Sequence, residues 1–169
     1  MRAGCVERSA LPPRHRTRIT IMKIHHILVP TDFSAHSKSA LDYAIGLAEK
    51  FPSKISLLHV LEPFFTGGSE VSLMYASVEK ERREAARAQL AEKAAATGNR
   101  CEIEAILEDG VPWRAICDHA NTHEIDLIVL PTHGYTGIKH LWMGSTAERV
   151  VQHAHCPVLV TRAHDAVSS

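Results

Sequence analysis

The sequence has no surplus of charge of either sign: 19 Lys and Arg stand against 19 Asp and Glu. A nucleic-acid clamp carries a marked basic excess, and a disordered regulator combines high net charge with low hydrophobicity, whereas 45% of these residues are hydrophobic. Long apolar runs are missing too. The longest, such as Asp126 to Pro131, are strand-sized and far short of the roughly 20 residues that span a bilayer. The four cysteines, Cys5, Cys101, Cys117 and Cys156, form no Cys-x-x-Cys pair. Zinc ribbons, thioredoxin-type redox centres and disulfide scaffolds therefore lack their signature, and a reducing cytoplasm fits best. What remains is one globular domain, large enough to bury close to 70% of its unfolded surface without staples.

Charge is unevenly spread along the chain. Residues 1–21 hold five arginines (Arg2, Arg8, Arg14, Arg16, Arg18) against Glu7, which leaves 14 basic and 18 acidic residues for the rest. This stretch has Pro12-Pro13 and no apolar segment of the secretory kind, so it reads as a disordered basic tail or an upstream start. A mitochondrial or plastid address is the alternative. The globular domain is expected over residues 22–163, with a short disordered tail over 164–169.

From Lys23 the pattern becomes regular. Ile24 to Pro30 is a β-branched apolar run, and Ser34 is a plausible N-cap for a helix whose apolar positions are Ala40, Leu41, Ala44, Leu47 and Ala48. Lys54 to Leu61 reads as a second strand, followed by a connection containing Pro63, Gly67 and Gly68. Val71 to Thr97 is a long, thin-striped helix with pairs such as Glu79 and Arg83 four residues apart, the pattern of a solvated surface. Arg100 to Glu108 is a third strand, Gly110 to His123 a third helix and Asp126 to Pro131 a fourth strand. In the last quarter, Ser145 and Glu148 have capping-box spacing for a helix to about Ala154, and Pro157 to Arg162 is a fifth strand. Five strands alternating with four helices predict an open α/β domain: a single parallel five-stranded sheet with helices on both faces.

Ligands of such sheets lie beyond the carboxyl ends of the strands, where strand order reverses. The carboxyl-end loops with distinctive chemistry are Pro30-Thr31-Asp32, His59-Val60 and the long loop after strand four. That loop runs through Thr132-His133-Gly134-Tyr135-Thr136-Gly137 to Gly144-Ser145-Thr146 at a helix start. Glycines admit a close ligand, and the free amides and dipole of a helix N-terminus favour an anion. There is no Gly-Lys-Ser/Thr of a P-loop and no Gly-x-Gly-x-x-Gly after strand one. Met143-Gly144-Ser145-Thr146-Ala147 lacks the Gly-x-Ser-x-Gly elbow, so Ser145 is no hydrolase nucleophile.

Three segments in combination resemble the universal stress protein family. They are Ile27-Leu28-Val29-Pro30-Thr31-Asp32-Phe33-Ser34, His133-Gly134 followed after nine residues by Gly144-Ser145-Thr146-Ala147-Glu148-Arg149-Val150, and Cys156-Pro157-Val158-Leu159-Val160. The resemblance extends over about Lys23 to Arg162. It implies a Rossmann-like sheet of the adenine-nucleotide alpha hydrolase kind, a homodimer formed through the last strand (Pro157 to Arg162) and, in one branch, an ATP site. That branch has a glycine, two residues, a glycine, nine residues, then Gly-Ser/Thr. Gly134 and Gly144-Ser145 match the later elements, but Pro131 stands where the first glycine is expected, and proline has no amide to give. Carried over, Pro30, Thr31 and Asp32 lie near adenine and ribose, Val60 touches adenine, and Gly134, Gly144, Ser145 and Thr146 hold phosphate. Leu130 and His133 complete the candidate set. The implied ligand is ATP or AMP, with or without Mg2+, bound for regulation in stress response, with hydrolysis slow at most. Pro131 favours the alternative, a nucleotide-independent dimeric interaction module of the same family.

Other residues have plainer readings. His119 and His123 are four apart on a helix, a ligand-pair spacing, but no third ligand is evident and both lie near the helix C-terminus, where imidazolium meets the dipole. His25 and His26 point to opposite faces of a strand. Cys156 reads as a small buried hydrophobe, Trp113 as a packing anchor, and Trp142 as cover for an interface or for the ligand mouth.

Overall fold

The computed structural model describes residues 23–63, 72–132 and 143–162. The expectations for both tails, for Gly67 and Gly68, and for His133, Gly134 and Trp142 fall outside the described residues. The chain alternates β1 (His26–Pro30), α1 (Ala35–Lys50), β2 (Lys54–Leu61), α2 (Ser72–Ala96), β3 (Ile103–Asp109), α3 (Pro112–Thr122), β4 (Leu127–Pro131), α4 (Ser145–His153) and β5 (Val158–Thr161). All four strand pairings are parallel, in the order β3-β2-β1-β4-β5.

β1 and β4 are continuous apolar runs because helices cover both of their faces. Alternate residues serve the two layers. Ile27 and Val29 pack with Ala40, Leu41 and Ala44 of α1 and Leu90 of α2, whereas Leu28 packs with Ile116 and Ala120 of α3 and with Ala147 and Val150 of α4. α1 starts where expected: Ser34 caps it, its hydroxyl accepting the Ser37 amide at 3.2 Å. α2 is the solvated helix its composition predicts, with Ala86 and Leu90 as its buried hydrophobic residues among those described. Among the described residues no helix is long and apolar enough to cross a membrane.

Several expected boundaries shift. β1 begins at His26 rather than Ile24, and β3 at Ile103 rather than Arg100, because Gly98 at φ +63° opens a 3-10 turn through Arg100. The expected capping box is not made. Gly144 is the N-cap of α4 and Ser145 its first helical residue, with no side-chain bond to the helix end. The Gly144 amide is committed to Thr132 C=O at 2.7 Å, which fixes where the helix starts.

The sheet parts at its centre for a covalent reason. β1 and β4 pair only at Ile27 with Leu127 and Leu28 with Ile128. Thr31 N–H bonds Leu58 C=O on β2, so by alternation Pro30 faces β4. Ile128 and Thr132 donate toward β5, so Pro131 faces β1. Neither proline has an amide hydrogen, the next two rungs cannot form, and the strands separate into a crevice.

Candidate functional site

β1 leads to β2 on one side, and β4 lies on its other side, so the strand order reverses between β1 and β4. That is the switch point at which open α/β sheets take ligands. A cavity of about 400 Å³ opens there, within the range of small-molecule sites. Its floor is apolar: Leu58 and Val60 of β2, Ile116 of α3, Leu130 of β4 and Ala147 of α4. The rim is polar, with Asp32, Ser37, Glu62, Thr132, Ser145 and Thr146.

The structure therefore brings Pro30, Thr31, Asp32, Val60, Leu130, Gly144, Ser145 and Thr146 to one hollow. Pro131 lines it as well. His59 and Thr132, noted in sequence only as parts of carboxyl-end loops, join them, as do Ser37, Leu58, Glu62, Pro112, Ile116 and Ala147, which were not singled out as site residues. Pro112 and Ile116 are one turn apart on α3, but only the strand order shows that this helix lies over the crevice.

Side-chain hydrogen bonds hold the turn after β1 from several directions. Thr31 Oγ1 accepts the Phe33 amide at 3.1 Å and lies 3.1 Å from Ser37 Oγ, while Asp32 Oδ1 accepts the Ser34 amide at 3.1 Å. Ser37 Oγ in turn donates to Ser34 C=O at 3.0 Å. These contacts support Phe33 at φ +64°, a left-handed conformation that a bulky side chain adopts only under restraint. The Phe33 ring lies 4.3 Å from that of His59, and His59 Nδ1 donates to Thr31 C=O at 2.7 Å. The Asp32 carboxylate thus projects from a turn with little freedom.

At the opposite wall stands the first turn of α4. The Glu148 amide bonds Gly144 C=O and the Gly144 amide bonds Thr132 C=O, which leaves the amides of Ser145, Thr146 and Ala147 at the open helix end. Three amides, two hydroxyls and a partial positive charge belong to residues that line the cavity, the donor set for an oxyanion. Val60 supplies a second polar edge. Leu58 faces β1, so Val60, two residues on, turns its N–H and C=O the same way, beyond the end of the β1 ladder.

The histidine pair at the C-terminal end of α3, His119 on the helix and His123 as its cap, is committed to structure. The rings of His119 and His123 stack at 4.0 Å, His119 Nδ1 lies 2.6 Å from Glu108 Oε1 on β3, and His123 Nδ1 donates to His119 C=O at 3.1 Å. Among the described residues no group of three or more His, Cys, Asp or Glu could hold a metal ion. His26 is buried and bonded to Ser56 Oγ at 2.8 Å, while His25 is exposed. Cys156 is half-buried rather than fully buried as expected, and that burial pushes its thiol above the ordinary range. Trp113 is held between α3 and α4, its ring 4.9 Å from that of His153 and under the guanidinium groups of Arg114 and Arg149.

Residues 23–162 match the universal stress protein family model. The chain belongs to the universal stress protein family. A universal stress protein of Methanocaldococcus jannaschii is 34% identical over 139 residues, covering 80% of this chain and 81% of that protein. The solved structure of the universal stress protein UspA from Lactobacillus plantarum superposes with a TM-score of 0.70 at 28% identity, covering 83% of this chain and 99% of that one. Two further universal stress proteins share the fold. One was solved in complex with cAMP (TM-score 0.60, 22% identity, 83% of this chain and 98% of that one). The other, from Archaeoglobus fulgidus, was solved in complex with dAMP (TM-score 0.55, 19% identity, 83% and 98%). In this chain the fold shared with these proteins is an open, five-stranded parallel sheet.

Proposed function

We propose that this universal stress protein binds an adenine nucleotide in the crevice between β1 and β4 and acts in stress response through occupancy of that site rather than through rapid catalysis. The observation that carries the reading is the cavity of about 400 Å³ at the switch point, apolar on its floor and bounded by the open first turn of α4. A purine ring occupies the floor between Val60 and Ile116. Adenine presents an acceptor beside an amino donor, the complement of the N–H and C=O of Val60. Asp32 accepts from ribose hydroxyls, and the amides and hydroxyls at Ser145 and Thr146, with the Ala147 amide, receive phosphate oxygens. Three amides and two hydroxyls match the oxygens of one phosphoryl group, so AMP engages the described walls as fully as ATP does.

Two solved neighbours of the same fold carry cAMP and dAMP, and the reading extends that ligand class to this chain. No lysine or arginine is among the described residues lining the cavity, which leaves a departing phosphate without a side-chain cation there and keeps any hydrolysis slow. The reading includes a cytoplasmic homodimer joined through β5, which among the described residues is the edge strand beside β4. Calorimetric titration of the folded protein with AMP and with ATP, each with and without Mg2+, tests the proposal. Saturable binding of either supports it, and no heat at millimolar nucleotide refutes it.

One observation favours a second reading. Pro131 removes a donor from the crevice wall, as a nucleotide-independent dimeric module would tolerate. That reading predicts a stable dimer, measured by sedimentation, whose partners and unfolding temperature are indifferent to nucleotide.

A further inference from the structure

Among the described residues the β1–β2 ladder ends one rung early, where a side chain meets its next acceptor. Its last bond runs from Thr31 N–H to Leu58 C=O at 2.8 Å. In the same phase the next would run from Val60 N–H to Thr31 C=O. That carbonyl instead accepts His59 Nδ1 at 2.7 Å. A carbonyl only accepts, so Nδ1 carries the proton, and the imidazole is held in one tautomer. The Phe33 ring packs against it at 4.3 Å and 33°, from a backbone at φ +64°.

We infer that His59 is a positioning residue of the nucleotide site: by occupying the Thr31 carbonyl it keeps the Val60 amide out of the ladder and free for the purine edge, and it sets the Thr31–Asp32 peptide plane from which the Asp32 carboxylate projects. The inference rests on the nucleotide reading for its purpose, but its geometry is that of the protein's own groups. The side chains of His59 and Val60 leave β2 on opposite faces, so although His59 lines the cavity, its bonded ring nitrogen acts on Val60 and Asp32 through the backbone.

The test separates the donor from the ring. Asparagine places an amide N–H near the position of Nδ1, whereas leucine keeps the apolar bulk against Phe33 and donates nothing. His59→Asn is expected to bind AMP within about twofold of the wild type, and His59→Leu about tenfold more weakly, the worth of one hydrogen bond that positions several others. In the nucleotide-free protein, amide hydrogen exchange is expected to slow at Val60 in His59→Leu, as that amide joins the ladder, and to quicken at Ser34, whose bond to Asp32 loosens. Wild-type exchange at both amides in His59→Leu, or equal loss of affinity in the asparagine variant, overturns the inference. Altered exchange in a protein whose wild type ignores AMP upholds the positioning and refutes the nucleotide reading instead. Imidazole nitrogen shifts of the wild type at pH 8 give a check that needs no variant to fold: protonation at Nε2 in place of Nδ1 overturns the proposal.

Discussion

Thr31→Val tests whether the turn that carries Asp32 is held by hydrogen bonds or by shape. Thr31 is 7% exposed, and valine nearly matches its volume, so no cavity forms. What disappears is Oγ1, the acceptor of the Phe33 amide and the neighbour of Ser37 Oγ, each at 3.1 Å. The two losses differ in weight. Ser37 keeps its bond to Ser34 C=O at 3.0 Å, so its hydroxyl is not stranded. The Phe33 amide loses the acceptor that helps to hold a left-handed residue, a conformation costing about 1–3 kcal/mol. One cushioned and one uncushioned loss give about 1–2 kcal/mol in all. For a domain of this size that is a fall in Tm of about 3–6 °C. Thr31→Ser keeps the hydroxyl and drops a buried methyl, for about 1 kcal/mol, so melting alone does not separate the two variants. Nucleotide titration does. Thr31→Val releases Asp32 and is expected to bind AMP several-fold more weakly, while Thr31→Ser binds as the wild type. Wild-type affinity in Thr31→Val, or an unchanged Tm, refutes the account of the turn.

Pro131→Gly returns an amide facing the crevice, where a charge-assisted bond to phosphate, about 1.5–3 kcal/mol, outweighs a backbone rung to Pro30 C=O at about 0.5–1.5 kcal/mol. AMP is expected to bind about fivefold tighter by calorimetry, and unchanged or weaker binding shows that this amide is not what the site lacks. Burial, and next the charge of Lys54, hold the imidazole of His26 below its usual pKa of 6.5. The unfolded chain therefore takes up the proton first as pH falls through 6.5, so this contribution to stability is complete above that value and is lost below it. Urea midpoints at pH 7.5 and pH 5 are expected to differ less in His26→Gln than in the wild type; equal differences remove His26 from the cause. Ile128→Ala empties a fully buried position in the central strand β4 and is expected to cost about 2–5 kcal/mol in urea unfolding, with a loss below about 1 kcal/mol contradicting its place in the core.

The alternation of strand and helix was legible in sequence because β1 and β4, covered on both faces, are uninterrupted apolar runs. β3 was harder to bound. As an edge strand it is mostly exposed or half-buried and carries Glu104 and Glu108, and the glycine before it makes a turn that its neighbours do not announce. The strand order was not legible, since it depends on which crossovers pass over which face. Everything known only through that order was missed with it: that Ile116 and Ser37 line the crevice, and that Glu108 waits on β3 for His119. The spacing of Ser145 and Glu148 suggested a cap because a sequence does not display the Thr132 carbonyl that fixes Gly144 instead. The residues gathered around Asp32 and Ser145 were found by their loops, and loops at strand ends meet wherever the sheet is open.

The paired prolines at the ends of β1 and β4 bear on kinetics. Two strands that are unable to zip together leave nothing to unzip, so among the described residues no rung between β1 and β4 has to break before a visiting molecule enters. Differences in residence time, rather than in the speed of capture, are then what variants around this doorway should alter.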